Sequence, residues 1–311
     1  EITTRLVGSE MCIRDRNQTP HCKFGEQGVC CRICSMGPCR ITPKAPRGIC
    51  GCDVHGIVGR NFLRFTAGGA ATHSDHGREI CITLGHAKEG GDYQVKDPEK
   101  LIRIAKEWGV ETEGKDIYDL AHEMSDLAQE EYGKIRGYSR WLKRAPQHTQ
   151  DLWHAAGIEP RAIDREVSCA LHMTHMGNTS KPEALIRQAL RNGLSDGWGG
   201  SMCGTEFSDV LFGTPKPIDT EANLGVMNAE NVNIVVHGHD PSLSEMICEY
   251  ADSKEMIDYA KSMGAKGITV SGVCCTSNEV AMRRGIPMAG NFLQQENAVS
   301  YTHLRAHETR S

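Results

Sequence analysis

From His21 to Cys52 the chain reads HCKFGEQGVCCRICSMGPCRITPKAPRGICGC, with seven cysteines in the 31 residues from Cys22 to Cys52. Thiols at this density hold metal. Cys31-x2-Cys34-x4-Cys39-x10-Cys50 offers four sulfur ligands, three close together and one returning from a loop. Iron–sulfur cubanes take four thiolates and accept them from such loops. The Cys-x2-Cys pair also suits zinc, but the second pair that a structural zinc site uses is missing, so the spacing favours iron–sulfur. Cys30 and Cys31 are neighbours. Successive Cα atoms are about 3.8 Å apart and their side chains point different ways, so such a pair serves two sites more readily than one. With Cys31 in the four-ligand set, the nearest partner left for Cys30 is Cys22. Two thiolates cannot complete a cubane, but a two-fold dimer would supply them twice. A buried free thiol is the plainer alternative for Cys22 or Cys30. The spacing leaves both open.

A second group is Thr72-His-Ser-Asp-His76. His73 and His76 share a helix face at this spacing, and an imidazole near neutral pKa can accept and pass a proton. Two hydrogen-bonded helix histidines would look the same. A third group is the pair His237-Gly-His239 and Cys274-Cys275. Cys52 has no evident ligand role. Cys81, Cys169, Cys203 and Cys248 sit singly and read as core or surface thiols. Met173 and Met176 read as helix core.

These residues need elements to position them. Residues 17–58 are rich in Gly, Pro and Cys and suit loops around clusters. Residues 57–88 carry Ala and Gly at spacings that suit a closely packed helix. Residues 99–109 form a helix opened by Pro98 and closed by Gly109. Residues 116–133 place Ile117, Leu120, Ala121, Met124, Leu127 and Ala128 on one helical face. Ser180-Lys-Pro-Glu183 has the form of a capping box. After residue 230 the texture changes. A β-branched run at 232–237, a helical pattern over 242–263 and a second apolar run at 266–273 spell strand–helix–strand, the unit of a parallel sheet. Ligands gather at the carboxyl ends of such strands, where His237, His239, Cys274 and Cys275 fall.

The expected fold class is therefore α+β and multidomain. A mostly helical cluster-binding domain (17–229) precedes the start of a Rossmann-like α/β domain (230–298). The two ends, 1–16 and 299–311, share no periodicity with the rest and read as adapter-derived sequence outside the fold. The glycines of AGGAA follow no dinucleotide fingerprint.

The 311 residues carry 14 cysteines and a net charge of -5, which points to neither nucleic acid nor an anionic membrane surface. No window approaches the roughly 18 apolar residues of a membrane span, and the N-terminus lacks the apolar core of a secretory signal. A cytoplasmic location is expected, which disfavours disulfides.

The run CKFGEQGVCCRICSMGPCRI, followed by RGICG, resembles the N-terminal cluster-binding segment of anaerobic nickel–iron–sulfur carbon monoxide dehydrogenases. AGGAATHSDHG, EFSDVLFGTP, VNIVVHGHDPSLSEMI and GVCCTSNEVAMRRGIP resemble further segments of that family, in the family's order. The resemblance implies a homodimer that oxidises CO with water, reversibly, to CO2, two protons and two electrons. It makes Cys31, Cys34, Cys39 and Cys50 ligands of a 4Fe-4S cluster in each subunit. Cys22 and Cys30 match the pair each subunit gives to a 4Fe-4S cluster on the dimer axis. His239 and Cys275 match ligands of the outlying iron of a Ni-Fe-S active-site cluster. His73 and His76 match the start of a histidine run that carries protons, although Glu79 and Ile82 stand where some members continue it. The implied partners are a ferredoxin-like electron acceptor and, in some members, acetyl-CoA synthase. Nickel's thiolate and an assisting lysine lie beyond residue 298 in the family, so this polypeptide alone is expected not to turn over CO. A hydroxylamine reductase-like hybrid-cluster enzyme has a different N-terminal cysteine spacing. A non-catalytic Fe-S electron-transfer protein would need only the N-terminal cysteines.

Overall fold

The computed structural model describes residues 19–238 and 241–291. Both terminal stretches read as adapter-derived, and His239, lie outside the described residues. The chain divides into two compact units, one spanning His21–Phe212 and the other continuing from Gly213. Helices and small sheets are combined, and no described helix is long and apolar enough to cross a membrane.

The first unit opens with a helical turn, α1 (Lys23–Glu26), and two short strands, β1 (Cys30–Cys31) and β2 (Cys39–Arg40). They pair antiparallel, Cys30 opposite Arg40 and Cys31 opposite Cys39. Asp53 then accepts the Gly56 N–H at 2.9 Å and opens α2 (Val54–Gly85). Helix α2 buries Gly56, Arg60, Leu63, Ala67, Ala70, Ser74, Gly77, Cys81 and Leu84, alternating steps of three and four that form one narrow stripe. Most of these are small, so neighbouring helices approach closely, as the Ala and Gly content predicts.

Around α2 stand α3 (Pro98–Trp108), α4 (Ile117–Gly133), α5 (Gln147–Ala156), α6 (Ile163–Thr174), α7 (Pro182–Ser195) and α8 (Met202–Phe212). Helix α2 packs on α4, α6, α7 and α8. Asp97 caps α3 by accepting the Lys100 N–H at 2.9 Å, and Gly109, at φ 78°, ends it. Helix α4 is capped by Asp116 and buries Leu120, Ala121, Met124 and Ala128, as the periodicity predicts. Trp108, Trp141 and Phe207 meet edge to face in the core, with ring centroids 4.9 to 6.2 Å apart. The expected capping box at Ser180 does not form. Lys181 is the N-cap of α7, without a side-chain cap, because Pro182 takes the first helical position that its fixed φ suits. Met173 does pack in the core, whereas Met176 lies past the end of α6 and is largely exposed.

In the second unit, β3 (Val232–His237) runs parallel to β4 (Ile268–Val273), in register from Val232 opposite Ile268 to His237 opposite Val273. The connection is helical but broken. It comprises α9 (Pro241–Ala251) and α10 (Lys254–Ser262), separated where Ser253 accepts the Met256 N–H at 3.3 Å and caps the second helix. Helix α11 (Cys274–Arg284) starts directly at the end of β4. Single parallel bridges continue the sheet from Gly272 to Met288 and from Met288 to Ala222, in segments whose sequence shows no strand pattern.

Candidate functional site

Cys31, Cys34, Cys39 and Cys50 line one cavity, together with Ile33, Ile57, Arg60 and Met176. Local structure explains their convergence. The β1–β2 pairing sets Cys31 opposite Cys39. The turn between them passes through Gly37, where a Cβ would lie 3.1 Å from the Cys39 nitrogen and 3.2 Å from the Cys31 oxygen. The Ile49 N–H donates to Cys39 Sγ at 3.5 Å, and Arg60 Nη1 donates to Cys50 Sγ at 3.4 Å. Burial pushes the Cys50 thiol up, but the Arg60 hydrogen bond, the Cys52 amide and the Arg60 charge outweigh it and bring the pKa below the usual thiol value. That favours the thiolate, the form that binds metal.

These residues fit a four-iron cluster. The four thiolates of a cubane bind four different irons, and this cavity offers four cysteines. Amide and guanidinium donors aimed at the sulfurs suit the cluster's negative charge. Cys52 is no ligand of this cavity: it is fully buried beside Gly56, where an added Cβ would sit 2.4 Å from its sulfur.

Strand alternation sends neighbouring side chains to opposite faces. Cys31 is buried in the cavity wall, while Cys30 is partly exposed and absent from it. Asn61 of α2 holds the Cys30 backbone, donating from Nδ2 to the carbonyls of Gly28 at 3.1 Å and Cys30 at 3.0 Å. Cys22 is exposed at the start of α1. No formal cap bond forms there, yet the amides of Gly25 and Phe24, with the Arg40 charge, draw its pKa below the ordinary value against a small burial effect. Residues Val58, Phe62 and Phe65 form an exposed apolar stripe on α2, on the side next to Asn61.

Further along α2, His73 Nδ1 lies 2.7 Å from Asp196 Oδ1. That hydrogen bond raises the His73 pKa, outweighing burial, and the Asp196 charge adds to it. A carboxylate only accepts, so Nδ1 carries the proton and Nε2 is the basic atom. Asp196 begins a π-helical segment (Asp196–Ser201) inserted between α7 and α8. Such bulges recur at functional sites. His76 packs against α8, where a Cβ on Gly204 would lie 3.5 Å from its Nε2. Cys81 and Cys203, which the sequence leaves as single thiols, are both buried with sulfurs 3.7 Å apart. Desolvation is the main cause of a Cys81 pKa well above the usual thiol value.

In the second unit the strand ends carry His237, Cys274 and Cys275. His237 closes β3, its Nδ1 3.4 Å from the Val273 carbonyl. Gly238 turns the chain at φ 128°, and its carbonyl accepts the Thr276 N–H at 3.0 Å, tying the end of β3 to the first turn of α11. Cys274 holds a left-handed φ of 75°, which costs a non-glycine residue about 1–3 kcal/mol. Close packing under it demands Gly272, where a Cβ would come within 2.1 Å of Ser277 Cβ. Cys275 is one of the exposed cysteines, yet desolvation of its sulfur, the adjacent Cys274 thiol and Glu279 push its pKa to about 11. Metal coordination would remove that proton.

Sequence reasoning missed Asp196, Arg60 and the Cys81–Cys203 approach. Only His-x-x-His beside small residues hinted that α2 faces a polar partner.

Comparison with known proteins places the chain among relatives of known fold. The model of the Prismane/CO dehydrogenase family matches residues 29–304. Carbon monoxide dehydrogenase 1 of Methanosarcina mazei is 48% identical over 291 residues, which cover 92% of this chain and 46% of that protein. The crystal structure of Ni-free carbon monoxide dehydrogenase from Thermococcus sp. AM4 superposes with a TM-score of 0.83 at 49% identity, covering 91% of this chain and 46% of that one. A structure of acetyl-CoA synthase/carbon monoxide dehydrogenase, described for its NiZn[Fe4S4] and NiNi[Fe4S4] clusters, gives a TM-score of 0.80 at 41% identity, covering 91% of this chain and 43% of that one. The chain thus spans about half the length of the curated relatives it matches.

Proposed function

The chain belongs to the Prismane/CO dehydrogenase family, and from that premise we propose that it works as the cluster-binding part of an anaerobic carbon monoxide dehydrogenase. The observation that carries the reading is the single cavity lined by Cys31, Cys34, Cys39 and Cys50. These four thiolates hold a 4Fe-4S cluster. Cys22 and Cys30, set apart from that cavity, give a second pair to a cluster shared across a homodimer axis. The exposed stripe of Val58, Phe62 and Phe65 beside Cys30 is a surface that a second copy would bury. In the second unit, which takes the role of a Rossmann-like domain, Cys275 and His239 hold the outlying iron of a Ni-Fe-S cluster. When bound, these groups would supply the CO-binding and redox chemistry, with a ferredoxin-like protein as the electron acceptor and acetyl-CoA synthase, which accompanies one solved relative, as a further partner.

The chain's own residues handle orientation and protons. Asp196 fixes the His73 ring and keeps the proton on Nδ1, so Nε2 takes or returns a proton of the reaction. The Asp196 hydrogen bond favours the imidazolium that results, and His76, one turn along α2, is the next acceptor.

Anaerobic reconstitution with iron and sulfide tests the reading. About four irons and four sulfides per chain are expected for the first cluster. Cys34→Ser abolishes its EPR signal in the reduced state, while Cys22→Ser with Cys30→Ser removes only iron beyond it and leaves the protein monomeric. Stoichiometric zinc in place of iron, or a Cys34→Ser variant with wild-type iron content, refutes the assignment.

A further inference from the structure

Arg60 is 2% exposed and has lost almost all contact with solvent. A guanidinium stays charged at any accessible pH, and a buried charge is costly unless paired. Its Nε and Nη2 donate to the Thr179 carbonyl at 3.0 and 2.7 Å, and its Nη1 donates to Cys50 Sγ at 3.4 Å. Among the described residues none of these partners is a carboxylate. A carbonyl satisfies hydrogen bonds but carries no net charge. The remaining partner is a sulfur of the four-cysteine cavity, whose wall Arg60 itself helps to form. The anion that balances this cation is therefore on the cavity side.

We propose that Arg60 is the internal counter-cation of the cluster held by Cys31, Cys34, Cys39 and Cys50, a positioning residue that pins Cys50 and raises the cluster's reduction potential. The inference rests on the cluster assignment made above. Its physics is simple. One-electron reduction adds a negative charge to the cluster and takes up no proton at Arg60. A fixed cation hydrogen-bonded to one ligand sulfur stabilises the reduced form more than the oxidised one. Hydrogen bonds to the sulfurs and net charge are the levers by which a protein sets such potentials. Arg60 supplies both. Through Thr179 it also ties the cysteine loop to the segment between α6 and α7, so the guanidinium cannot swing away.

The test is a redox titration of the reconstituted chain under anaerobic conditions, with dithionite as reductant and the EPR signal of the reduced cluster as readout. R60Q and R60M remove the charge, the latter keeping much of the stem's bulk. R60K keeps the charge. R64Q is the control, since Arg64 lies one turn along α2 and donates to Thr174 Oγ1 at 3.0 Å rather than to a cysteine. In the neutral variants the ratio of reduced to oxidised cluster at a fixed potential falls at least tenfold, a lowering of about 59 mV for a one-electron couple. R60K falls by less than that, and R64Q stays within threefold of wild type. Loss of the cluster from both neutral variants with retention in R60K supports the same reading, because charge is what separates them. Neutral variants that keep the cluster with a ratio moved less than threefold overturn it, as does loss of the cluster from R60K as well. If the wild-type chain takes up no cluster at all, the cluster assignment itself has failed, which is a different result.

Discussion

Replacing Gly77 by alanine tests the packing that holds the proton-handling face of α2. Alanine in a helix interior is normally worth about 1 kcal/mol over glycine. Gly68 and Gly69, on the same helix, have no atom within 4 Å of an added Cβ, so G68A and G69A collect that gain. At Gly77 the added Cβ would lie 2.2 Å from Tyr132 Oη and 2.6 Å from the Gly200 carbonyl oxygen. Tyr132 is 2% exposed and wedged in the main core, and Gly200 belongs to the π segment that begins with Asp196. Neither can yield without moving α4 or that segment away from α2. Overpacking of this kind costs about 1–3 kcal/mol. The propensity gain is common to both variants and cancels between them. G77A should therefore be less stable than G68A by about 1–3 kcal/mol, and level with or below wild type. Urea unfolding of the metal-free chain, followed by far-UV circular dichroism, measures this as a lower midpoint at unchanged slope. A G77A midpoint equal to or above that of G68A would show that α2 and the π segment do not approach as closely as the geometry requires.

The remaining predictions concern titration and reactivity. The His73 pKa is raised by Asp196, so the pair contributes stability fully below the ordinary value of 6.5 and loses it as pH rises through the higher folded value. The stability lost in D196N should be larger near pH 5.5 than near pH 8.5; a deficit that is flat across that range contradicts the pairing. Thiol pKa values predict an order of alkylation in the metal-free chain. Cys22 and Cys50, with pKa values drawn down by amides and by Arg60, react with iodoacetamide first, and Cys81, buried with its pKa pushed well up, reacts last. Peptide mass spectrometry at neutral pH reads this directly, and labelling of Cys81 at the rate of Cys22 would refute the burial of the Cys81–Cys203 pair.

What the sequence reveals about this protein is what short-range chemistry determines. The cysteine spacing, the Pro98 start, the Gly109 stop and the β-branched runs of β3 and β4 each act within a few residues, so their signals are local. What it hides depends on packing between distant segments. Asp196 meets His73 across 123 positions, Arg60 reaches Thr179 across 119, and Cys81 approaches Cys203 across 122. No spacing rule connects such partners. The failed capping box shows the same limit at close range, since a Ser-x-x-Glu pattern yields when proline claims the first helical position. Helix α2 joins the two kinds of information. Its small-residue stripe is periodic and legible, and it decides how near the unseen partners come. Arg60 and His73 lie thirteen residues apart on that helix, about 20 Å along its axis at 1.5 Å per residue. A single rigid element therefore fixes the separation between the thiolate cavity and the proton-handling histidine. A substitution that widens the stripe acts on both ends at once, which is why Gly77, a residue with no side chain, bears on chemistry it never touches.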